Sequence, residues 1–254
     1  MAGPTGKMNY QERTYRNLVE REDRPAFRAV VKESDLFVHA PRELENLARE
    51  LILQHRGYIE SYIARYPEFA ETLSPWYHND PAPMIVQDMI NAGIKAGVGP
   101  MAAVAGAVAE YVGRGLLIHT DEVIVENGGD IFLKTNAPAT VAIFAGKSPL
   151  SLRVGLRLPP DDTGLAVCTS SGTVGHSLSF GKADAVCVLS LSCSLADAAA
   201  TAIGNQVKSK ADIQKAVDFG KQINGVTGIV IIADDKIGMW GNLEMIPLKK
   251  RKKA

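Results

Sequence analysis

The chain has no excess of either charge: 28 Lys and Arg residues offset 28 Asp and Glu, for a formal net charge of 0 at pH 7. No global field draws it to nucleic acid or to an anionic membrane, so neither is expected as a partner. Cysteine is scarce. The thiols of Cys168, Cys187 and Cys193 show no C-x-x-C spacing, and an odd count without a framework points to reduced thiols in a reducing compartment. Long apolar runs are also missing. The longest, residues 96–109, is rich in Ala and Gly and shorter than the roughly 20 residues of a membrane span. The first residues, MAGPTGKMNYQERTYRN, contain no apolar run of the kind a secretory signal needs. The expectation is a soluble, cytoplasmic protein. No internal repeat is visible.

What is present is ordinary globular material, with 46% apolar and 22% charged residues over 254 positions. A single domain over 1–254 is expected, with a flexible N-terminus at about 1–12 and a solvated basic tail, KKRKK, in residues 249–254. Short strand-like runs at 15–19 and 26–32 and the segment LFVHA open the chain. Leu44, Leu47, Leu51, Ile59 and Tyr62 then fall near one helical face, and Pro67 ends that helix by Tyr66. A second helix is expected from Pro83 to about Lys95, and a third, MAAVAGAVAEYV, from Pro100. The small surface of this third helix should let neighbouring backbone come close. Strands follow in DEVIVEN, DIFLK, TVAIFAG, LSLRVGLRL, GLAVCTS and DAVCVLSLS, then helices at 195–207 and 211–222, then strands in VTGIVIIAD and IGMW. Helices dominate the first half and strands the second, which predicts an α+β fold with a mixed or antiparallel sheet.

Several stretches carry candidate chemistry. Asn127-Gly128-Gly129-Asp130 sits between two apolar strands, where it serves as a hairpin turn or as a place for a ligand to approach backbone closely. Gly97-Val98-Gly99-Pro100-Met101-Ala102 fits a G-x-G-x-x-A outline but follows a helical segment rather than a strand, which excludes a dinucleotide fingerprint. It leaves a helix N-terminus able to face an anion. The run from Cys168 to Ser177, with Thr169, Ser170, Ser171, Gly172 and Thr173, is dense in hydroxyls and glycine and suits a phosphate, with His176 available to bind it or to move a proton. The same run allows Cys168 as a nucleophile with His176 as its base. Asp197 and Thr201 are four apart, so they share a helix face and suit a hard cation such as Mg²⁺. Ser194-x-x-Asp197 equally reads as a capping box.

Taken together, these segments resemble the ApbE-like superfamily, the fold of Mg²⁺-dependent FAD:protein FMN transferases. Asn127-Gly128-Gly129-Asp130-Ile131 resembles its N-x-G-G-D-I segment, Ser171-Gly172 followed by His176 its SG…H segment, and Ala196 to Ala202 its A-D-A-x-A-T-A. The likeness is stronger to a group of uncharacterised prokaryotic members, over about 15–241, and to the transferases mainly over 99–205. The resemblance implies an ApbE-like fold and a flavin or nucleotide pyrophosphate, FAD or FMN, as ligand. It also implies a Mg²⁺ ion held by Asp197 and Thr201. His176 would be the catalytic group, and residues 127–130 and 169–173 would line the ligand. Two departures stand out. Residues 103–107 have no lysine where the transferases carry G-x-A-K-G, and His176-Ser177-Leu178-Ser179-Phe180 replaces their H-x-x-D-P. Weak transferase or pyrophosphate-cleaving activity is one expectation; a non-catalytic binding protein is the other.

Overall fold

The computed structural model describes residues 25–78, 80–172 and 181–248; the expected strand at 15–19, the N-terminus, the basic tail, Thr173 and His176 lie outside them. In chain order, β1 (Ala26–Val31) and β2 (Ser34–His39) precede α1 (Glu45–Arg65), α2 (Glu68–Glu71), α3 (Met84–Ala96) and α4 (Val104–Leu116). Then come β3 (Val123–Asn127), β4 (Asp130–Thr135), β5 (Ala139–Ala142), β6 (Val154–Leu158), β7 (Asp161–Ser170) and β8 (Ala185–Ser190). The chain continues through α5 (Cys193–Gln206), α6 (Ile213–Gly220), β9 (Val226–Ala233), β10 (Lys236–Gly241) and β11 (Glu244–Pro247).

Eight strands form one sheet in the order β1-β2-β3-β4-β7-β8-β9-β10, and three form a second in the order β11-β6-β5. Every pairing among these described strands is antiparallel. The fold is α+β.

The apolar runs of the second half dictate three layers. Side chains alternate across a strand, so a strand that is apolar at every position needs cover on both faces. In β3 and β4, Val123, Val125 and Phe132 face the helices, where they join Ile52, Met89, Val112 and Ile203. Their neighbours Ile124, Ile131 and Leu133 face the small sheet and pack with Val141, Ile143, Leu156 and Leu158. The large sheet is thus sandwiched between helices and the second sheet. Among the described residues, no single helix is long and apolar enough to cross a membrane.

Local chemistry sets the element ends. Before Pro67, α1 stops as expected, and α3 closes on Gly97 in the left-handed conformation, φ 75°. The expected helix from Pro100 is split into a 3₁₀ turn over Pro100–Ala103 followed by α4. Only residues 154–158 of LSLRVGLRL are strand. Turns precede them, with Leu152 at φ 56° and the Ala145 N–H bonded to Ser151 Oγ. The helix expected from 195 begins at Cys193, capped by Ser192, whose Oγ accepts from the Leu195 N–H at 3.3 Å. Ser194 and Asp197 therefore lie inside α5, and the anticipated capping box does not form. Strand β11 was not foreseen: it is short and ends in proline, which suits an edge.

The small surface of α4 does bring backbones together. A Cβ built on Gly106 would lie 2.4 Å from the Cys193 carbonyl oxygen and 2.9 Å from Asp197 Cβ. Phe132 is boxed in the same way, with a Cβ on Gly113 reaching 2.3 Å and one on Gly164 2.7 Å from its ring.

Gly106→Ala is expected to push α4 from α5 and lower the melting temperature by roughly 5–10 °C. Gly57, in α1 with nothing within 4 Å of a built Cβ, provides the contrast. Gly57→Ala should stabilise by about 0.5–1 kcal/mol. Thermal and denaturant unfolding of both variants checks the pair; equal effects would contradict the packing described.

Candidate functional site

The β3–β4 hairpin supplies the first wall. Asn127 pairs with Asp130 across a two-residue turn, and Gly128 takes φ 78°, the positive value that such turns require at a glycine. Gly129 lies against β7: its carbonyl accepts from the Thr169 N–H at 3.1 Å, and a Cβ there would sit 3.0 Å from the Thr169 oxygen. Asp130 stands opposite Cys168 in the register, and both face the helices.

The second wall is the start of α4. One peptide unit, Ala105–Gly106, is gripped at both ends. Its carbonyl accepts from Asn127 Nδ2 at 3.0 Å, and its N–H donates to Asp197 Oδ2 at 2.9 Å. The N–H of Ala105 also serves Asp197. Asp197 does cap a helix, but that helix is α4 and not its own. The anion expected at this helix start is a carboxylate of the protein itself, which suits the positive end of the helix dipole. The Gly99–Pro100 segment is not open to a ligand, because a Cβ on Gly99 would lie 1.9 Å from the Thr72 carbonyl oxygen.

The third wall is α5, nearly all of it buried. Thr201 lies one turn beyond Asp197 and is 9% exposed. The N–H of Cys193 donates to Glu110 Oε2 at 2.8 Å, and Glu110 Oε1 accepts from Arg114 Nε at 2.9 Å. The two helices therefore exchange carboxylates.

Electrostatics mark the centre of this arrangement. Burial pushes Asp130 up to about 7, against the opposing pull of the Cys168 thiol and the Thr169 N–H. Burial, then the charge of Asp130, raises Asp197 well above the usual carboxylate range, although the Gly106 and Ala105 N–H groups pull it back. The two acids thus lie within electrostatic reach of each other, one on the sheet and one on the helices. Oδ1 of Asp130 is buried with no hydrogen-bond partner among the described residues, as is Oγ of Ser170, two residues beyond Cys168 on the same face of β7. Among the described residues, no three His, Cys, Asp or Glu side chains gather into a complete metal cage.

The hydroxyl run does not act as one loop. Residues 168–170 remain in β7, so their side chains alternate. Thr169 turns to the small-sheet side, where its hydroxyl donates to Cys187 Sγ at 3.3 Å, while Ser170 stays on the helix side with Asp130. Beyond them, Gly172 donates its N–H to the Ala183 carbonyl at 3.0 Å.

A nucleophilic Cys168 finds no support. Its side chain is fully buried, burial raises its pKa, and its Sγ donates to the Cys193 carbonyl at 3.5 Å. The structure thus brings Asn127, Asp130, Ser170 and Asp197 to one place, with Thr201 a turn along the same helix. The Ala105–Gly106 peptide, Glu110 and Arg114 were not anticipated from sequence. The density of small residues at the start of α4 was the one available signal.

A helix layer over an antiparallel sheet backed by a second sheet is a fold this chain shares with solved ApbE flavin transferases. The flavin transferase ApbE from Vibrio cholerae aligns with a TM-score of 0.51 over 86% of this chain and 96% of that chain, at 14% identity. The Pseudomonas stutzeri flavinyl transferase ApbE, apo form, aligns at 0.53 over 85% and 93%, also at 14%. At such identity the likeness speaks for the fold. The chain belongs to the family described as AbpE bacteria, whose model matches residues 16–239. A UPF0280 protein from Methanocella arvoryzae is 44% identical over 217 residues, 85% of this chain and 88% of the relative. Another, from Methanosarcina acetivorans, is 42% identical over 201 residues, 78% and 79% of the two chains.

The raised value of Asp130 makes stability depend on pH. Asp130 has a folded-state value of about 7 against 3.8 for the free side chain. The folded state thus binds the extra proton between those values, and stability falls as pH rises through that window. Asp130→Asn removes this loss and relieves Asp197, so its melting temperature should gain on the wild type progressively from pH 4 to 8. A gap that stays constant with pH would contradict the assignment.

Proposed function

We propose that the chain binds a flavin nucleotide, FAD or FMN, or a related nucleotide pyrophosphate, together with a divalent cation such as Mg²⁺. The observation that carries this reading is the buried Asp130 beside the half-buried Asp197, with Asp130 Oδ1 lacking a partner among the described residues. Two acids so placed at the helix–sheet seam call for either a proton or a cation between them. The donor set fits a hard cation: carboxylate oxygen at Asp197 and hydroxyl oxygen at Thr201, with phosphate oxygens of the ligand to complete the shell. When bound, the cation would neutralise charge on the phosphates.

The other residues divide the remaining work. Gly128, at the tip of the turn, would let a ligand approach the backbone beside Asp130, while Gly129 seats the turn against Thr169 and Asn127 keeps it tied to α4. Ser170 offers a hydroxyl with no partner among the described residues, and Ser171, Gly172 and Thr173 would extend the phosphate cradle, while Thr169 is held in the sheet by its bond to Gly129. His176 would supply the proton-moving group. The cysteines play no part, and residues 103–107 carry no lysine. Binding is accordingly the main activity, with at most slow Mg²⁺-dependent cleavage of FAD to FMN and AMP and no FMN transfer to an acceptor threonine. A soluble, cytoplasmic protein is part of the same reading.

Titration of FAD or ADP by calorimetry, with and without Mg²⁺, tests the reading. Affinity should rise at least about tenfold with Mg²⁺, and Asp197→Asn should abolish that gain while the fold persists. Covalent FMN on an acceptor threonine, seen by mass spectrometry, would overturn the limit on chemistry. Equal binding with and without Mg²⁺ would overturn the cation site.

A further inference from the structure

We propose that Glu110 is a positioning residue for this cation site, an inference that rests on the reading of Asp197 and Thr201 given above. Glu110 is 8% exposed, a costly place for a carboxylate, and α5 already has a conventional cap in Ser192. Its two oxygens reach both walls that carry the site acids. Oε2 accepts from the N–H of Cys193, the first residue of α5. Asp197 lies four residues further along the helix, on the same face. Oε1 accepts from Arg114, whose guanidinium carbon lies 5.4 Å from the centroid of the Phe132 ring. Phe132 is two residues along β4 from Asp130 and points to the same side.

One carboxylate therefore sets the start of α5 and, through Arg114 and Phe132, the strand opposite it. Arg114 balances the charge of Glu110, whereas Asp130 and Asp197 form no ion pair among the described residues. The separation between those two acids is what a bound cation would sense. Glu110 touches neither of them and acts only through the elements that carry them. A merely structural role would lower the melting temperature and weaken nucleotide binding under all conditions alike. A positioning role changes the cation response selectively.

The test measures the Mg²⁺ concentration for half-maximal enhancement of ADP binding, with Mg²⁺-free ADP affinity and melting temperature recorded alongside. Glu110→Ala should raise the half-maximal concentration about tenfold or more while leaving Mg²⁺-free affinity unchanged. Glu110→Gln keeps an oxygen for the Cys193 N–H and should restore much of the response. Arg114→Ala, at a half-exposed position, provides a second variant if Glu110→Ala does not fold; it should shift the value in the same direction by about threefold. An unchanged half-maximal concentration in folded Glu110→Ala, or in Arg114→Ala if that is the variant that folds, overturns the inference while the cation site stands. A wild-type protein with no Mg²⁺ response overturns both.

Discussion

The contact between α4 and α5 is the constraint on which the rest of the site depends. Each helix begins with N–H groups that its own turn cannot satisfy, and each receives a carboxylate from the other: Asp197 for Gly106, Glu110 for Cys193. The exchange requires the backbones to meet at Gly106, where no side chain fits. Because α5 also lies on β7 and β8, and α4 on β3 and β4, this one junction fixes how the helical layer sits on the sheet. The site is a by-product of that seam: the hairpin turn, the start of α4 and the middle of α5 meet where the layers close.

Burial gives the seam its chemical character. The central strands of the sheet are covered on both faces, so an acid at the end of β4 has little water to stabilise its charge. Asp130 feels that environment directly, and its proximity raises Asp197 further. The same dryness silences the three thiols, all buried and all raised. A site of this kind favours oxygen ligands and cations over thiolate chemistry.

Much of the fold was legible because its signals are local. Runs such as Val123 to Val125 and Ala185 to Leu189 are apolar at every position, which marks strands covered on both faces, and Asn127-Gly128-Gly129-Asp130 marks the hairpin. Pro67 and Gly97 punctuate helices by their own backbone preferences. What could not be read depended on partners distant in sequence. Asp197 looked like a cap for its own helix, but Ser192 took that role because α5 begins two residues earlier than its apolar pattern suggests. Thr169 looked like part of a phosphate loop, but the strand continues through it and period-2 alternation turns its hydroxyl away. Glu110 gave no signal, since a single acid in an alanine-rich helix resembles any solvated residue until the partner helix is in place.

Phe132 lies against two glycines distant from it in the chain, Gly113 on α4 and Gly164 on β7, and fills the space their missing side chains leave. The three positions form a single volume shared among three elements. Positions 113 and 132 should therefore drift together or not at all across relatives, since a methyl group gained at 113 needs a smaller ring at 132, while the φ of 96° at Gly164 holds that position to glycine whatever the ring. Such a change would strand Arg114 without its aromatic face. The history of this family should then record correlated substitutions at 113, 114 and 132 beside an unvarying glycine at 164, a lineage-level trace of how its helices are seated on its sheet.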